Sequence, residues 1–395
     1  MSKYLVKTKG LIDGTGADLL PGGQMVVENG KIAAVGASVG SEGIGRVLDL
    51  SEYYVLPGLV DSHTHLSIVP SQGQQLVQLG LPAGRNILRS LPNIRRQLES
   101  GVTTMRIMGE EHFIDIDIKN AIEEGLLEGP RLFVSGIGIV ATNGHGVAIT
   151  TSDTEYEVRK NVRRNFAKGA DFVKIFMTGG MSSSRPPVDF CGFSRAEVAS
   201  AVEEAKRMRT YVAAHAHGGP GVDLCIEEGV KTIEHGALLS KEQIARMIEK
   251  NMWVVGTFSI LFHPTGIEQT DFSNEAIKNK VLRNREVAAE TFHNILSAGL
   301  NYALGTDSMH GLISFEMECL ARFGAKNMDV IVAATRSGAE LCMMQDRIGT
   351  LEAGKLADFI ALRGNPLDDI KAMKDVELVF KGGEKLIDKR GLQNS

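Results

Sequence analysis

The middle of the chain alternates between short apolar runs and longer amphipathic stretches, and this alternation restricts the fold more than any other feature. Eight runs have the character of buried strands, and several of the stretches between them have helical spacing. Strands that alternate with helices predict βαβ units and a parallel sheet. The predicted strands are residues 53–65, 102–108, 131–140, 172–178, 211–217, 232–236, 253–258 and 302–307.

Three of the intervening stretches are predicted as helices, over residues 161–168, 194–208 and 240–250. The second and third begin with a serine followed three residues later by Glu or Gln, which is the capping-box pattern. Eight such units predict a (β/α)8 TIM barrel. A doubly wound α/β sheet is the alternative, but residues 136–141 lack the third glycine and the following helix of a dinucleotide-binding loop.

Both ends of the chain differ from the middle because they consist of short strand-like runs separated by turns. Asn29 and Gly30 lie between two such runs and indicate a hairpin, and Gly382 with Gly383 indicates another. We therefore expect residues 1–58 and 349–395 to form one composite β-sandwich domain. Residues 59–348 would form the barrel.

Charge and cysteine content narrow the class of protein. The chain has 43 Lys and Arg against 48 Asp and Glu, a net charge of −5, so no nucleic-acid partner and no polybasic membrane contact are expected. No apolar run approaches the roughly 18 residues of a membrane span, and no secretory signal is visible. The four cysteines are scattered without CxxC pairing. These features predict a cytoplasmic location, and they leave a homo-oligomer open.

Histidines mark the ends of three predicted strands. His63 and His65 are two residues apart, so both side chains lie on one face of the first strand. His215 and His217 repeat this spacing, and His235 ends the next strand. Because barrel enzymes place their sites at the carboxyl ends of the strands, we expect these imidazoles to share one site rather than to be core histidines bonded to backbone.

Two further residues extend this group. Lys174 interrupts an apolar strand and must face away from its neighbours Val173 and Ile175, towards the barrel interior. A buried ammonium without a partner favours the neutral amine, which can react with CO2 to form a carbamate; pairing with a barrel carboxylate is the alternative. Asp307 ends the last strand, where Gly305 allows close approach, although an aspartate there can simply cap the next helix.

The candidate donors are imidazole nitrogens and carboxylate-type oxygens, without a thiolate. Such donors suit Zn²⁺ or Mn²⁺ and are typical of catalytic rather than structural sites. Two divalent ions in such a site would generate hydroxide near neutral pH beside a Lewis acid.

These residues have the arrangement of the amidohydrolase superfamily, and the sequence resembles that superfamily over nearly its full length. The resemblance is carried by residues 56–65, at the start of the barrel, and by residues 349–359, at the return to the β domain. It is strongest for the branch with imidazolonepropionase-like and prolidase-like enzymes, including Xaa-Pro and Xaa-Arg/Lys dipeptidases.

The resemblance implies two divalent metal ions and a CO2-derived carbamate that helps to hold them. Zinc is the expected metal. The ligands implied are His63, His65 and Asp307 for the more buried ion, His215 and His235 for the more exposed ion, and carboxylated Lys174 as the bridge. Members that work with a single metal lack this lysine. Its presence favours the two-metal dipeptidases over imidazolonepropionase and the single-metal deaminases.

Four residues are candidate contacts to a small-molecule substrate. His145 resembles the substrate-contacting histidine of the dipeptidases, although a loop histidine beside a glycine turn is the alternative. His217 stands where several dipeptidases have tyrosine. Arg185 lies in a Ser/Pro-rich loop and could clamp a carboxylate or simply be solvated, and His310 follows Asp307 by three residues.

The predicted function is hydrolysis of an amide bond, in a dipeptide or an N-acyl amino acid, by attack of a metal-bridging hydroxide. Asp307 would act as general base and then acid, and His145 would steady the carbonyl oxygen or a carboxylate. A hydrolase of cyclic amides, lactones or organophosphates on the same site is an alternative. A non-catalytic scaffold would be expected to have lost ligands, and all six are present.

Overall fold

The computed structural model of the protein describes residues 3–40, 43–72, 75–146 and 149–391. These residues form sixteen strands and twelve α-helices. The strands are β1 (Lys3–Leu11), β2 (Leu20–Pro21), β3 (Gln24–Glu28), β4 (Lys31–Gly36), β5 (Val47–Pro57), β6 (Leu59–Thr64), β7 (Val102–Ile107), β8 (Arg131–Val134), β9 (Val173–Phe176), β10 (Val212–Ala216), β11 (Thr232–His235), β12 (Trp253–Gly256), β13 (Asn301–Leu304), β14 (Phe359–Leu362), β15 (Val376–Lys381) and β16 (Glu384–Asp388). The helices are α1 (Ala83–Glu99), α2 (Ile114–Glu123), α3 (Glu155–Lys168), α4 (Arg195–Arg207), α5 (Pro220–Glu228), α6 (Lys241–Glu249), α7 (Ser259–Phe262), α8 (Ile267–Thr270), α9 (Glu275–Ala298), α10 (Ile313–Arg322), α11 (Asn327–Ala333) and α12 (Arg336–Leu341).

Eight consecutive strands, β6 to β13, pair in parallel and confirm the predicted α/β organisation. They form one sheet of β6, β7 and β8 and a second sheet of β9 to β13 in chain order. Isolated parallel bridges join the two sheets at both junctions, Thr64 with Asp307 and Ile139 with Ile175. This arrangement is consistent with a TIM-like barrel.

The first predicted strand, 53–65, is wrong as a single element because the chain breaks at Gly58 into β5 and β6. β5 belongs to the sheet of the two chain ends, whereas β6 starts the parallel sheet. A Cβ atom at Gly58 would lie 2.2 Å from Oγ1 of Thr103, so only glycine fits where the chain passes from one sheet to the other.

Other predicted boundaries shift by a few residues. β8 ends at Val134 rather than at residue 140, and the segment beyond it contributes only the bridge at Ile139. Helix α3 begins at Glu155, earlier than predicted, because the side chain of Thr154 accepts a hydrogen bond from the Glu157 amide and caps the helix. Both predicted capping boxes are present, at α4 and α6.

Strands from both ends of the chain form one eight-stranded sheet. Its order is β16, β15, β14, β5, β1, β3, β4, with β2 paired to β1. The predicted hairpins form between β3 and β4 and between β15 and β16. Asn29 and Gly30 both have positive φ, 52° and 78°, as a tight hairpin turn requires.

The apolar core separates into clusters that follow this division. The largest cluster lies between the parallel strands and their helices, and another fills the terminal sheet, where the rings of Phe359 and Phe380 stack 4.2 Å apart. A further cluster, beside the carboxyl ends of the parallel strands, includes Met181, Ile260 and Ala288. Among the described residues, none of the helices combines the length and the hydropathy needed to cross a bilayer.

Candidate metal centre and active site

A pocket of about 680 Å³, including its open mouth, lies at the carboxyl ends of the parallel strands. It contains all six predicted ligands and two of the predicted substrate contacts. The predicted residues that line it are His63, His65, His145, Lys174, His215, His217, His235 and Asp307.

Three of these residues are close enough to share one ion. Ligand atoms of His63, His65 and Asp307 all lie within 4.8 Å of one another. The backbone holds the group together, since the amide of Asp307 donates to the carbonyl of His63 at 2.7 Å. A Cβ atom at Gly305 would lie 2.4 Å from Cβ of His63, so glycine permits the close approach of these strands, as predicted.

A second group of imidazoles lies beside the first. The ring of His235 is 4.7 Å from the ring of His63 and 4.7 Å from the ring of His215. Nδ1 of His235 contacts Oγ1 of Thr257 at 2.6 Å, and Nε2 of His215 contacts the Gly179 carbonyl at 3.2 Å. Each ring therefore has one nitrogen engaged by the protein, which orients the other towards a ligand.

Positive φ angles at two of the predicted ligands, His235 and Asp307, redirect their side chains. Strand alternation would send Glu234 and His235 to opposite faces, yet both point inwards because φ of His235 is 72°. Asp307 has φ of 55°. A left-handed conformation at a residue other than glycine is uncommon and concentrates at functional sites.

Lys174 is completely buried, and its Nζ atom has no hydrogen-bond partner among the described residues. Burial lowers the pKa of Lys174 to about 8, although the carboxylates of Glu234 and Asp307 act in the opposite direction. The prediction that this side chain faces inwards is correct. An amine of this kind is partly neutral near pH 7.5 and is therefore able to react with CO2.

Burial also keeps the histidines neutral. It lowers the pKa of His65 to about 3, with a smaller contribution from Lys174, and it holds the pKa values of His63, His215 and His235 well below the usual range. Burial raises the pKa of Asp307 to about 6, partly offset by Lys174. Neutral imidazoles are the form that binds metal, so these residues fit a divalent cation.

Two further histidines face the pocket without being predicted ligands. Nδ1 of His145 lies 3.0 Å from Oγ of Ser183, which leaves Nε2 for another partner. His217 stacks on His235 at 5.1 Å, and neither of its ring nitrogens has a partner in the described part of the chain. Buried nitrogens without partners are costly, so His217 is positioned to hydrogen-bond to a bound molecule.

The structure does not bring the other two predicted substrate contacts into this pocket. Arg185 is exposed on the loop after β9, and it is absent from the described lining. His310 lies outside the described lining as well, and its Nε2 atom contacts the carbonyl oxygen of Ile68 at 3.1 Å. Their roles as substrate contacts stay predictions.

Part of the pocket lining is apolar, and these residues, called the apolar wall below, were not identified from the sequence. Its members come from the segment after β12 and from helices α7, α8 and α9, and they cluster only because these segments fold against one another. The wall includes Phe258, Ile260, Leu261, Ile267, Ala288 and Phe292.

Two charged groups near the site were also missed. Lys280 on α9 is buried and donates to carbonyl oxygens of the loop after β9. Arg106 and Glu234 form a buried ion pair beneath the pocket, with Nη1 and Oε1 3.1 Å apart. The signal that identified Lys174, a charge within an apolar strand, is present at Arg106 and Glu234 too.

The arrangement of neutral imidazoles, an aspartate and a buried lysine at the strand ends agrees with the sequence at the family level. Residues 54–386 match the Amidohydrolase family. The chain belongs to this family. The resemblance stated from the two motifs is therefore confirmed, and this amidohydrolase is a metal-dependent hydrolase that acts on carbon–nitrogen bonds, as predicted.

Individual relatives of this amidohydrolase cover most of its length. It is 28% identical over 367 residues to ochratoxinase of Aspergillus niger, covering 84% of this chain and 75% of that enzyme. It is 23% identical over 382 residues to imidazolonepropionase of Symbiobacterium thermophilum, covering 88% and 85%. Its fold matches a crystal structure of an Xaa-Pro dipeptidase with bound methionine in the active site, with a TM-score of 0.90, 30% identity and coverage of 98% and 100%.

Proposed function

We propose that this amidohydrolase cleaves the amide bond of a small substrate, a prolidase-type dipeptide or an N-acyl amino acid, with two divalent metal ions. The observation that carries the proposal is the grouping of His63, His65 and Asp307 within 4.8 Å in a pocket that the other predicted ligands also line. The relatives named dipeptidase and ochratoxinase support this choice of substrate.

The six predicted ligands divide between two metal ions. Zinc is the expected metal because the donors are nitrogen and oxygen atoms. His63, His65 and Asp307 would hold one ion, and His215 with His235 the other. Lys174 would bridge them after its neutral amine adds to CO2, which forms an N–C bond, releases one proton and leaves a carbamate anion. When bound, such ions lower the pKa of water and polarise a carbonyl oxygen.

The remaining chemistry belongs to side chains of this chain. Asp307 would accept a proton from the attacking water and deliver it to the leaving nitrogen as the amide C–N bond breaks. His145, with Nδ1 held by Ser183, would direct Nε2 to the carbonyl oxygen or to a carboxylate of the substrate. His217 has two unpartnered nitrogens for the same purpose.

The apolar wall restricts the range of expected substrates further. Phe258, Leu261 and Phe292 line the same pocket as the predicted ligands. An apolar or aromatic group next to the scissile bond would be removed from water there, at roughly 25 cal/mol per Å² of buried surface. We therefore expect dipeptides and N-acyl amino acids with large apolar groups to be better substrates than glycine-containing ones.

The test is a panel of dipeptides and N-acyl amino acids assayed by amine release, beside lactams, lactones and phosphotriesters. The zinc-loaded protein should hydrolyse members of the first group. An Asp307→Asn variant purified in the same way serves as the control for contaminating peptidases. Turnover confined to lactams, lactones or phosphotriesters would replace the proposal with the alternative, and turnover of nothing in the panel would contradict both.

The finer architecture is also proposed. The parallel bridges at both junctions of the two sheets support a closed (β/α)8 barrel over residues 59–348. The shared terminal sheet supports a composite β-sandwich of residues 1–58 and 349–395, of which 1–2, 41–42 and 392–395 lie outside the described residues.

The cellular setting is a proposal of the same kind. We place the protein in the cytoplasm because all four cysteines are free thiols, as a reducing compartment keeps them. A homo-oligomer, and the absence of nucleic-acid and membrane partners, stay predictions.

A further inference from the structure

A buried ion pair joins the two parallel sheets beneath the pocket. Arg106 lies on β7 and Glu234 on β11, and neither side chain is exposed. Nη1 of Arg106 donates to Oε1 of Glu234 at 3.1 Å. An ion pair buried this completely is stable only when its remaining hydrogen-bonding capacity is also satisfied.

The guanidinium of Arg106 meets this condition. Nη1 also donates to the carbonyl of Ser62 at 3.0 Å, Nη2 donates to Oγ1 of Thr232 at 2.9 Å, and Nε donates to the hydroxyl of Tyr211 at 3.1 Å. The ring of Phe172 lies 4.8 Å from the guanidinium. Arg106 is therefore held in one orientation, and so is the carboxylate that it contacts.

The two oxygens of Glu234 both accept from Nη1 of Arg106 and differ in their other partners. Oε1 accepts from Arg106 and from the hydroxyl of Thr232. Oε2 accepts a longer hydrogen bond from Nη1 of Arg106, at 3.3 Å, and lies 2.7 Å from Nδ1 of His63, a predicted metal ligand. A carboxylate in an ion pair only accepts hydrogen bonds, so the proton of the neutral His63 ring must be on Nδ1.

We propose that Arg106 and Glu234 are positioning residues that fix His63 in its Nδ1-protonated tautomer, so that the lone pair of Nε2 is available to a metal ion. The inference rests on the proposed metal site, and it adds the residues that prepare one of its ligands. Partners of this kind change metal affinity by roughly 10- to 100-fold when they are lost.

The variant Glu234→Gln tests this because its two amide atoms differ. Two donors, Arg106 and Thr232, meet at the position of Oε1, so the amide oxygen takes that position, and only the longer contact of Nη1 with the position of Oε2 is lost. The amide nitrogen then faces Nδ1 of His63 and can only donate to it. The proton moves to Nε2, where it blocks the ligand position.

Two measurements on the full-length protein report separately on the tautomer of His63 and on the affinity for zinc. In the metal-free protein, ¹⁵N shifts of labelled histidines should show His63 protonated at Nδ1 in the wild type and at Nε2 in Glu234→Gln, with His63→Asn used for assignment. Titration with Zn²⁺ against a competing chelator should then show weaker binding by the variant, by roughly 10- to 100-fold.

Glu377→Gln is the matched control. Glu377 is also a nearly buried carboxylate paired with an arginine and a hydroxyl, Arg363 and Tyr53, but it lies in the terminal sheet. This variant should leave both the His63 tautomer and the zinc affinity unchanged. The comparison distinguishes the positioning of His63 by Glu234 from the general effect of removing a buried negative charge.

The outcomes distinguish this inference from the proposed function. A wild-type His63 protonated at Nε2 overturns the inference without any variant, as does a folded Glu234→Gln protein with unchanged tautomer and zinc affinity. If the tautomer shifts as expected but the wild type does not bind zinc, the tautomer assignment stands and the proposed metal site is overturned.

Discussion

The ammonium of Lys280 donates a hydrogen bond to the carbonyl oxygen of Ser183 at 2.6 Å, and this contact joins helix α9 to the loop after β9. The same ammonium donates to the carbonyl of Gly180 at 3.1 Å. The loop carries Met181 and Ser182, which line the pocket, and Oγ of Ser183 contacts His145. Lys280 therefore positions one wall of the pocket without touching the predicted ligands.

We expect Lys280→Met to loosen this loop. The carbonyl oxygens would lose a charged donor, which costs about 1 to 3 kcal/mol for such a bond. KM for the substrate should rise about tenfold, while zinc content stays at the wild-type level. Steady-state kinetics and metal analysis of the purified variant test this expectation.

The control for this prediction is Lys278→Met on the same helix. Lys278 is partly exposed, and in the described part of the chain its ion-pair partner is Glu275, three residues earlier. Its replacement should leave KM within about twofold, since exposed ion pairs contribute little. Equal KM values for the two variants would refute a positioning role of Lys280.

If Lys174 forms the proposed bridge, Lys174→Ala should lower the bound zinc and reduce kcat by at least about a thousandfold, because the variant cannot form the bridging anion. Added acetate or formate should restore part of the activity by supplying a carboxylate to the vacated space. Lys389→Ala, which removes a half-buried lysine bonded to the Glu99 carbonyl, is the control. Full zinc content and activity in Lys174→Ala would exclude the bridge.

Ala288→Leu should fill part of the apolar wall, since Ala288 lines the pocket on α9. We expect kcat/KM for a substrate with an aromatic group to fall 10-fold or more, because each methylene in a pocket changes discrimination by about 1 to 3 kcal/mol. Glycine-containing substrates should be affected less. The neighbouring Val287→Leu variant changes an exposed side chain and should keep the wild-type ratio.

The pH dependence of stability gives a test at His310. Burial lowers the pKa of His310 to about 4 from 6.5. Between these values the unfolded chain takes up a proton that the folded chain does not, so the free energy of unfolding falls as pH falls, by up to about 1.4 kcal/mol per pH unit. Above pH 6.5 this residue adds no pH dependence.

In urea titrations of the metal-free protein from pH 7 to 4.5, His310→Gln should therefore lose stability less steeply than the wild type. His293→Gln removes an exposed imidazole from α9 and should follow the wild-type slope. If the free energy of unfolding depends on pH with the same slope in the wild type and in His310→Gln, burial does not lower the pKa of His310.

Much of the site could be predicted from local patterns. Lys174 was identified because a charge within an apolar strand must face inwards, and its buried, unpartnered Nζ atom agrees with that. The spacing of His63 and His65 placed both rings on one face, and both line the pocket. These inferences succeed because strand alternation depends only on the local backbone.

Local patterns in the sequence specify the order of strands and helices, the residues at the strand ends and the chemistry of the donors. The tertiary structure alone decided that Lys280 holds a loop 97 residues away, that Glu234 meets Arg106 across 128 residues, and that a positive φ turns His235 inwards beside Glu234. Periodicity and capping are local properties, whereas these contacts depend on which distant segments pack together, and that is settled only when the whole chain is folded.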